Sequence, residues 1–164
     1  MFETILALSL GILFIAGATT YFVIGREKLN ERTVTQGLFL LKLNIEQVYT
    51  NEEYAGLNNE VLMQGNLVPS GLVHGHRIMS PWGEIVVQSE VSGFELSNYS
   101  ITLYDIPRNV CITLVSNIDS WDQVYAGNES TKIFDRKASA EITRGDRFAA
   151  CQYEQGNIVK FVGP

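Results

Sequence analysis

Thr4-Ile5-Leu6-Ala7-Leu8-Ser9-Leu10-Gly11-Ile12-Leu13-Phe14-Ile15-Ala16-Gly17-Ala18-Thr19-Thr20-Tyr21-Phe22-Val23-Ile24 is uncharged and mostly apolar. Glu3 is the only charge ahead of Arg26. About 20 apolar residues suffice for a helix to cross a bilayer. A lone carboxylate at the tip of such a helix costs about 2.5–3.5 kcal/mol on insertion scales unless something pairs with it. The stretch therefore predicts an apolar helix that leaves lipid by packing against copies of itself.

The helical pattern continues past Ile24. Leu29, Val34, Leu38, Leu41, Ile45 and Val48 recur at spacings of three to five residues. Glu27, Lys28, Asn30, Glu31, Arg32, Gln36, Lys42, Asn44 and Glu46 lie between them. That is an amphipathic helix with one buried face. No proline precedes Pro69. One helix is predicted from about Phe2 to Tyr49, roughly 70 Å at 1.5 Å per residue. Three regions follow: an apolar helix over 1–25 for a membrane or a filament core, an amphipathic helix over 26–50 packed on a domain, and a globular domain over 51–164. Gly11, Gly17 and Gly25 interrupt the first region, and Thr19 and Thr20 follow Gly17. Each glycine costs about 1 kcal/mol relative to alanine in a helix. Gly11, Gly17, Thr19 and Thr20 are thus a purposeful weak point in the helix, or ordinary small residues of a membrane helix.

Composition agrees with this division. The 164 residues have a charged fraction of 18% and a mean hydropathy of +0.06, low and high for a soluble chain, and the leading stretch explains both. Setting Glu3 aside, 12 basic and 17 acidic residues remain, a net charge of −5. That surface lacks the basic stripe a nucleic acid needs. The leading stretch has no basic residue before it, and Ala16-Gly17-Ala18 is a weak match to a cleavage site. Arg26 and Lys28 behind a single-pass anchor would favour a cytoplasmic domain. A basic leader removed ahead of Met1 reverses that preference. The two cysteines, Cys111 and Cys151, form no CxxC pair, so a zinc site is not expected. In an exported domain they read as a disulfide, otherwise as two buried thiols.

Further along, Asn59–Gln64 reads as a short helix ended by Gly65, and Val68-Pro69-Ser70-Gly71 and Pro81-Trp82-Gly83 as turns. Residues 84–89 and 94–103 read as strands joined at Ser92-Gly93. Pro107 can open a helix through Asn117 that buries Val110, Cys111, Leu114 and Val115. Lys132–Phe134 and Asn157–Val162 complete the predicted strands.

Catalytic chemistry is sparse. Asp105, Asp119 and Asp122 have no histidine near them in sequence. His74-Gly75-His76 offers two ligands where a metal normally wants three, so a solvated loop is the plainer reading. No nucleophile-elbow, Walker or dinucleotide fingerprint occurs. Asn98-Tyr99-Ser100 and Asn128-Glu129-Ser130 match the glycosylation sequon, a motif frequent by chance. Neither an enzyme nor a cofactor is expected.

An apolar helix with one early glutamate, an amphipathic continuation, strands and a C-terminal cysteine loop together resemble the type IV pilins. Tyr54-Ala55-Gly56-Leu57, Gly65-Asn66-Leu67-Val68-Pro69, Ser80-Pro81-Trp82-Gly83-Glu84-Ile85-Val86-Val87 and Ile106-Pro107-Arg108-Asn109-Val110-Cys111 with Leu114-Val115 look like the type IVb class, in its conjugative thin-pilus branch. The glutamate lies closer to the first residue than is usual in the family, and the helix carries no proline. The resemblance covers nearly the whole chain. It implies an α+β fold of the type IV pilin kind, with a long N-terminal α-helix packed on an antiparallel β-sheet domain closed by a Cys111–Cys151 disulfide.

The resemblance also implies a function. The chain would be a major pilin, a homo-oligomeric filament subunit for adhesion, aggregation or mating-pair contact. A prepilin peptidase would expose the amine of Met1 or a nearby residue. The subunit would wait in the inner membrane with its domain in the periplasm. An assembly ATPase and its inner-membrane platform would extract it through an outer-membrane secretin, toward a host or recipient cell surface. Met1, Phe2 and Glu3 would serve assembly, Glu3 being neutralised by a neighbour's terminal amine. The alternatives are a minor pilin or pseudopilin, a pilus-tip adhesin, and a membrane-anchored periplasmic enzyme or inhibitor.

Overall fold

The computed structural model describes residues 2–49, 53–92, 95–118, 120–127, 131–138 and 143–164; side chains are described from residue 25 onward, except at 91–97 and 138. The chain divides into two compact units, Met1–Thr33 and Val34–Pro164. The first unit is helical from Phe2, and there Thr33 Oγ1 donates to the Leu29 carbonyl at 2.9 Å. Its helix, α1, is unbroken over Phe2–Val48, and residues 34–48 of it belong to the second unit.

In the second unit α1 is followed by α2 (Asn59–Gln64), β1 (Val73–His74), β2 (Arg77–Ile78), β3 (Ile85–Ser92), β4 (Glu95–Ile106), α3 (Arg108–Leu114), β5 (Gln123–Gly127), β6 (Lys132–Asp135), α4 (Arg144–Ala150) and β7 (Asn157–Gly163). Five strands form one antiparallel sheet in the order β3-β4-β7-β5-β6, and β1 and β2 form a small hairpin. The last strand therefore lies in the middle of the sheet. Val34, Leu38, Leu41 and Ile45 recur at four, three and four residues, one face of a helix. They share a core with Ile85, Val87, Tyr99, Ile101, Leu103, Val124, Ala126, Val159 and Phe161. Each large aliphatic side chain sealed there contributes about 1.5–3 kcal/mol.

Most predicted elements lie where the pattern put them, and the differences have causes. The stripe of α1 is shorter than expected: Leu29 is 64% and Val48 54% exposed. Leu29 belongs to the first unit, and Tyr49 rather than Val48 closes the stripe, its ring 5.6 Å from that of Tyr54. Lys42, expected among the polar residues, is buried, because Glu46 pairs with it and its ammonium lies 5.3 Å from the centre of the Trp121 ring. Pro107 is the N-cap of α3 rather than its first residue, and α3 stops at Leu114, short of Asn117.

Four elements were not expected: β1, β2, β5 and α4. The strands β1 and β2 are two residues each, too short for any periodicity. β5 has small Ala126 and Gly127 where a typical strand has branched residues. α4 contains Gly145, yet Thr143 and Asp146 form a reciprocal capping box at its start. That Thr-x-x-Asp spacing was the available signal for α4.

Candidate functional site

α1 has a second apolar face in the second unit. Phe39, Leu40 and Leu43 are 54%, 48% and 44% exposed, on the side away from Val34, Leu38, Leu41 and Ile45. Beside it opens a groove of about 500 Å3, lined by the apolar Leu38, Phe39, Leu40, Leu114, Trp121 and Phe161 and by the polar Thr35, Gln36, Asn117 and Ser120. The Trp121 and Phe161 rings lie 5.0 Å apart and form its aromatic wall. None of the lining side chains titrates. The groove can take apolar surface but has nothing with which to move a proton.

What holds α1 to the sheet is partly polar. The Tyr99 hydroxyl, on β4, donates to Glu46 Oε1 at 3.1 Å, and Lys42 pairs with the same carboxylate. Burial, and then the Glu46 charge, pushes the Tyr99 hydroxyl far above the ordinary tyrosine value. Tyr54, whose ring is 4.8 Å from that of Tyr99, is raised for the same two reasons. Such a network sets the register of α1 on the sheet, since each partner is buried or half-buried and would be orphaned by a slip.

Cys111 on α3 and Cys151 at the C-cap of α4 are disulfide-bonded, with Cα atoms 5.9 Å apart. The closed loop contains β5, β6 and α4. Gly127 ends β5 at φ +83, and a Cβ there would sit 2.2 Å from the Ala150 carbonyl oxygen, so only glycine fits against the end of α4.

The family model described as PilS N terminal matches residues 30–163. The chain belongs to the PilS family of type IVb pilins. The type IV pilin TcpA of Vibrio cholerae El Tor biotype has the same fold, with a TM-score of 0.59 at 16% identity over 83% of this chain and 99% of its own. The type IVb pilin of Salmonella typhi has a TM-score of 0.56 at 16% identity over 84% of this chain and 97% of its own. No curated protein matches the chain. Type IV pilins are structural subunits and not enzymes, and so is this one.

In this pilin Met1 lies outside the described residues. Phe2 and Glu3 open α1, and Gly11, Gly17, Thr19 and Thr20 lie within its continuous helix; their side chains are outside the description. Among the described residues, no helix is long and apolar enough to cross a membrane, so the membrane reading of residues 4–24 rests on their sequence.

The histidines sit at the β1–β2 turn, both exposed, with Gly75 between them at φ +64. Asp105 is exposed at φ 58, and Asp122 pairs with Arg136 at 3.2 Å; Asp119 lies outside the described residues. Of the sequon asparagines, Asn98 donates to the Gly163 carbonyl at 3.0 Å, and Asn128 lies outside the described residues. The sequence reading missed Phe39, Leu40 and Leu43 as a surface. Their signal was the unbroken Leu38-Phe39-Leu40-Leu41 run, too wide for a single buried stripe.

Proposed function

We propose that the chain is the major pilin of a type IVb pilus. It polymerises through α1, with residues 1–25 in the filament core and residues 26–50 bridging to the sheath domain. A prepilin peptidase frees the N-terminus, the inner membrane holds the subunit, and an assembly ATPase, its platform and an outer-membrane secretin deliver it to the cell surface. There the fibre serves adhesion, aggregation or mating contact. The observation that carries this reading is the exposed apolar face of Phe39, Leu40 and Leu43 beside a groove with no titratable lining. It lies on the same helix as the uncharged stretch 4–24. A filament is the open result of a heterologous contact, which needs such a surface on every copy.

Glu3 fits an assembly role, because a neighbour's protonated amine would neutralise it once lipid is left behind. Gly11, Gly17, Thr19 and Thr20 fit a segment that loses helix over 17–20 on assembly, since glycine weakens a helix by about 1 kcal/mol per residue. The deciding experiment compares sheared surface fibres from Phe39→Glu, Leu43→Glu and Glu3→Ala strains. All three should insert and fold, with unchanged melting of the detergent-extracted chain, and yield no fibres. Normal piliation in the Phe39→Glu and Leu43→Glu strains would overturn the role of this face.

A further inference from the structure

Among the described residues Lys42 is the one buried charged residue, at 7% exposure. Stability is not a sufficient reason for it. An apolar side chain of similar volume in place of a buried ion pair is often neutral or stabilising. What the ammonium gains here is a fixed position. Glu46, one turn along α1, pairs with it, and the same carboxylate accepts from the Tyr99 hydroxyl at 3.1 Å. Held there, the ammonium lies over the Trp121 ring, 5.3 Å from its centre. An indole is the best aromatic partner for a cation, and the attraction is strongest where both are desolvated.

Trp121 needs such a partner. It lies between the end of α3 at Leu114 and the start of β5 at Gln123, outside every helix and strand. Its N–H donates to the Ile118 carbonyl at 2.9 Å, and the Asp122 N–H donates to the Val162 carbonyl at 2.9 Å. Those bonds place the backbone and leave the ring a choice of rotamers. The ring is set by what it touches: the Lys42 ammonium, the Tyr99 ring at 6.4 Å and 64°, and the Phe161 ring at 5.0 Å. Lys42 and Tyr99 are joined through Glu46, so two of these three contacts belong to one network.

We propose that Lys42 is a positioning residue for assembly, which holds the Trp121 ring as the wall of the groove that receives a second copy of the chain. This rests on the reading of the groove as a contact between subunits. The groove lining carries no charge and does not include Lys42, so the cation works from behind the wall. Aromatic anchors in well-packed pockets carry most of the energy of an interface. An open filament repeats one contact in every copy, so a displaced wall would recur at every joint.

The test compares strains and full-length chains carrying Lys42→Met and Lys42→Arg. Methionine keeps an unbranched apolar stem and removes the cation, whereas arginine keeps it. In Lys42→Met the yield of sheared fibres should fall by about tenfold, the worth of a desolvated cation–π contact. Its urea midpoint in detergent should stay at or above that of the parent, and the Trp121 indole N–H resonance should move. Lys42→Arg should keep both the fibres and the resonance. The chain has two tryptophans, so Trp82→Phe assigns the signal. Should Lys42→Met fold poorly with Glu46 left behind, Lys42→Met with Glu46→Gln removes both charges and carries the same readouts. In the unsubstituted chain the ring current of Trp121 should shift the Lys42 ε-methylene protons upfield. Normal piliation without the cation, fibres lost with an unmoved Trp121 resonance, fibres lost in Lys42→Arg at an unchanged midpoint, or no ring-current shift would overturn the proposal. Fibres lost in Phe39→Glu and Leu43→Glu but kept in Lys42→Met would leave the groove standing and remove only Lys42 from it.

Discussion

The Tyr99 hydroxyl reaches Glu46 across the interface between β4 and α1, at 3.1 Å, and is itself fully buried. It is the bond between the sheet and the one helix that, by our proposal, the filament is built on. A hydrogen bond to a charged acceptor contributes about 1.5–3 kcal/mol. Tyr99→Phe should therefore lower the unfolding free energy by about 1.5 kcal/mol or more, seen as an earlier urea midpoint at unchanged slope. An unchanged midpoint would mean that packing alone docks α1.

The same residue gives an alkaline dependence. The Tyr99 and Tyr54 hydroxyls are raised in the folded state, so they stay protonated where the unfolded chain ionises. Stability should be complete below the ordinary tyrosine value of about 10 and fall as pH climbs beyond it. Melting scans between neutral and strongly alkaline pH should show this decline, and Tyr99→Phe should flatten most of it. The remainder belongs to Tyr54.

On the acid side the group to watch is Glu90. Burial raises its carboxyl, but hydrogen bonds from Lys160, Ser100 and Gln88 and the Lys160 charge outweigh that and hold it below the ordinary glutamate value. Its contribution is present at neutral pH and is lost as pH falls through that lowered value. Glu90→Gln should cost up to about 1 kcal/mol at pH 7, the scale of a partly exposed pair. The gap from the parent chain should close in strong acid. A gap that persists there would point to packing instead.

Reducing the Cys111–Cys151 bond opens a loop with a sequence separation of 40 that contains β5, β6 and α4. The chain-entropy model gives about 4 kcal/mol for a loop of this length. Melting under reductant should drop sharply, and hydrogen exchange should rise first in β5 and β6 rather than in β3. Equal melting with and without reductant would remove the bond from the stability argument.

Gly127→Ala combines a left-handed backbone with a Cβ 2.2 Å from the Ala150 carbonyl. The variant should be destabilised by about 1–3 kcal/mol, as overpacked sites are. Calorimetry decides it. Gly156→Ala has a similar φ of +79 but open space around it, so its smaller loss measures the backbone part alone.

Much of this pilin is legible in its sequence because the deciding signals are local. Periodicity marks α1, and the branched runs mark the β3–β4 hairpin and β7. An asparagine before Asn59 and a glycine after Gln64 bound α2, with the Asn58 side chain accepting from the Val61 N–H at 3.0 Å. The two cysteines, legible as a disulfide in an exported domain or as two buried thiols, are bonded. What stayed illegible depends on partners distant in sequence. β5 is a strand because β7 and β6 pair with its two edges, not because Gln-Val-Tyr-Ala-Gly prefers to be one.

Lys42 and Phe39 show the division most clearly. Periodicity can say that α1 has an apolar stripe and a polar remainder, because a helix repeats every 3.6 residues whatever surrounds it. The stripe of Val34, Leu38, Leu41 and Ile45 meets the sheet as its spacing predicts, but which polar residue is drawn in beside it is settled by contacts distant in the chain. Glu46, Tyr99 and Trp121 draw the Lys42 ammonium inside, and the rotation that allows this leaves Phe39, Leu40 and Leu43 facing out. The sequence by itself determined that a long helix and a disulfide-closed sheet would form. Only the tertiary structure decided which apolar residues were left uncovered, because burial is a property of the neighbours a residue meets and not of the residue alone.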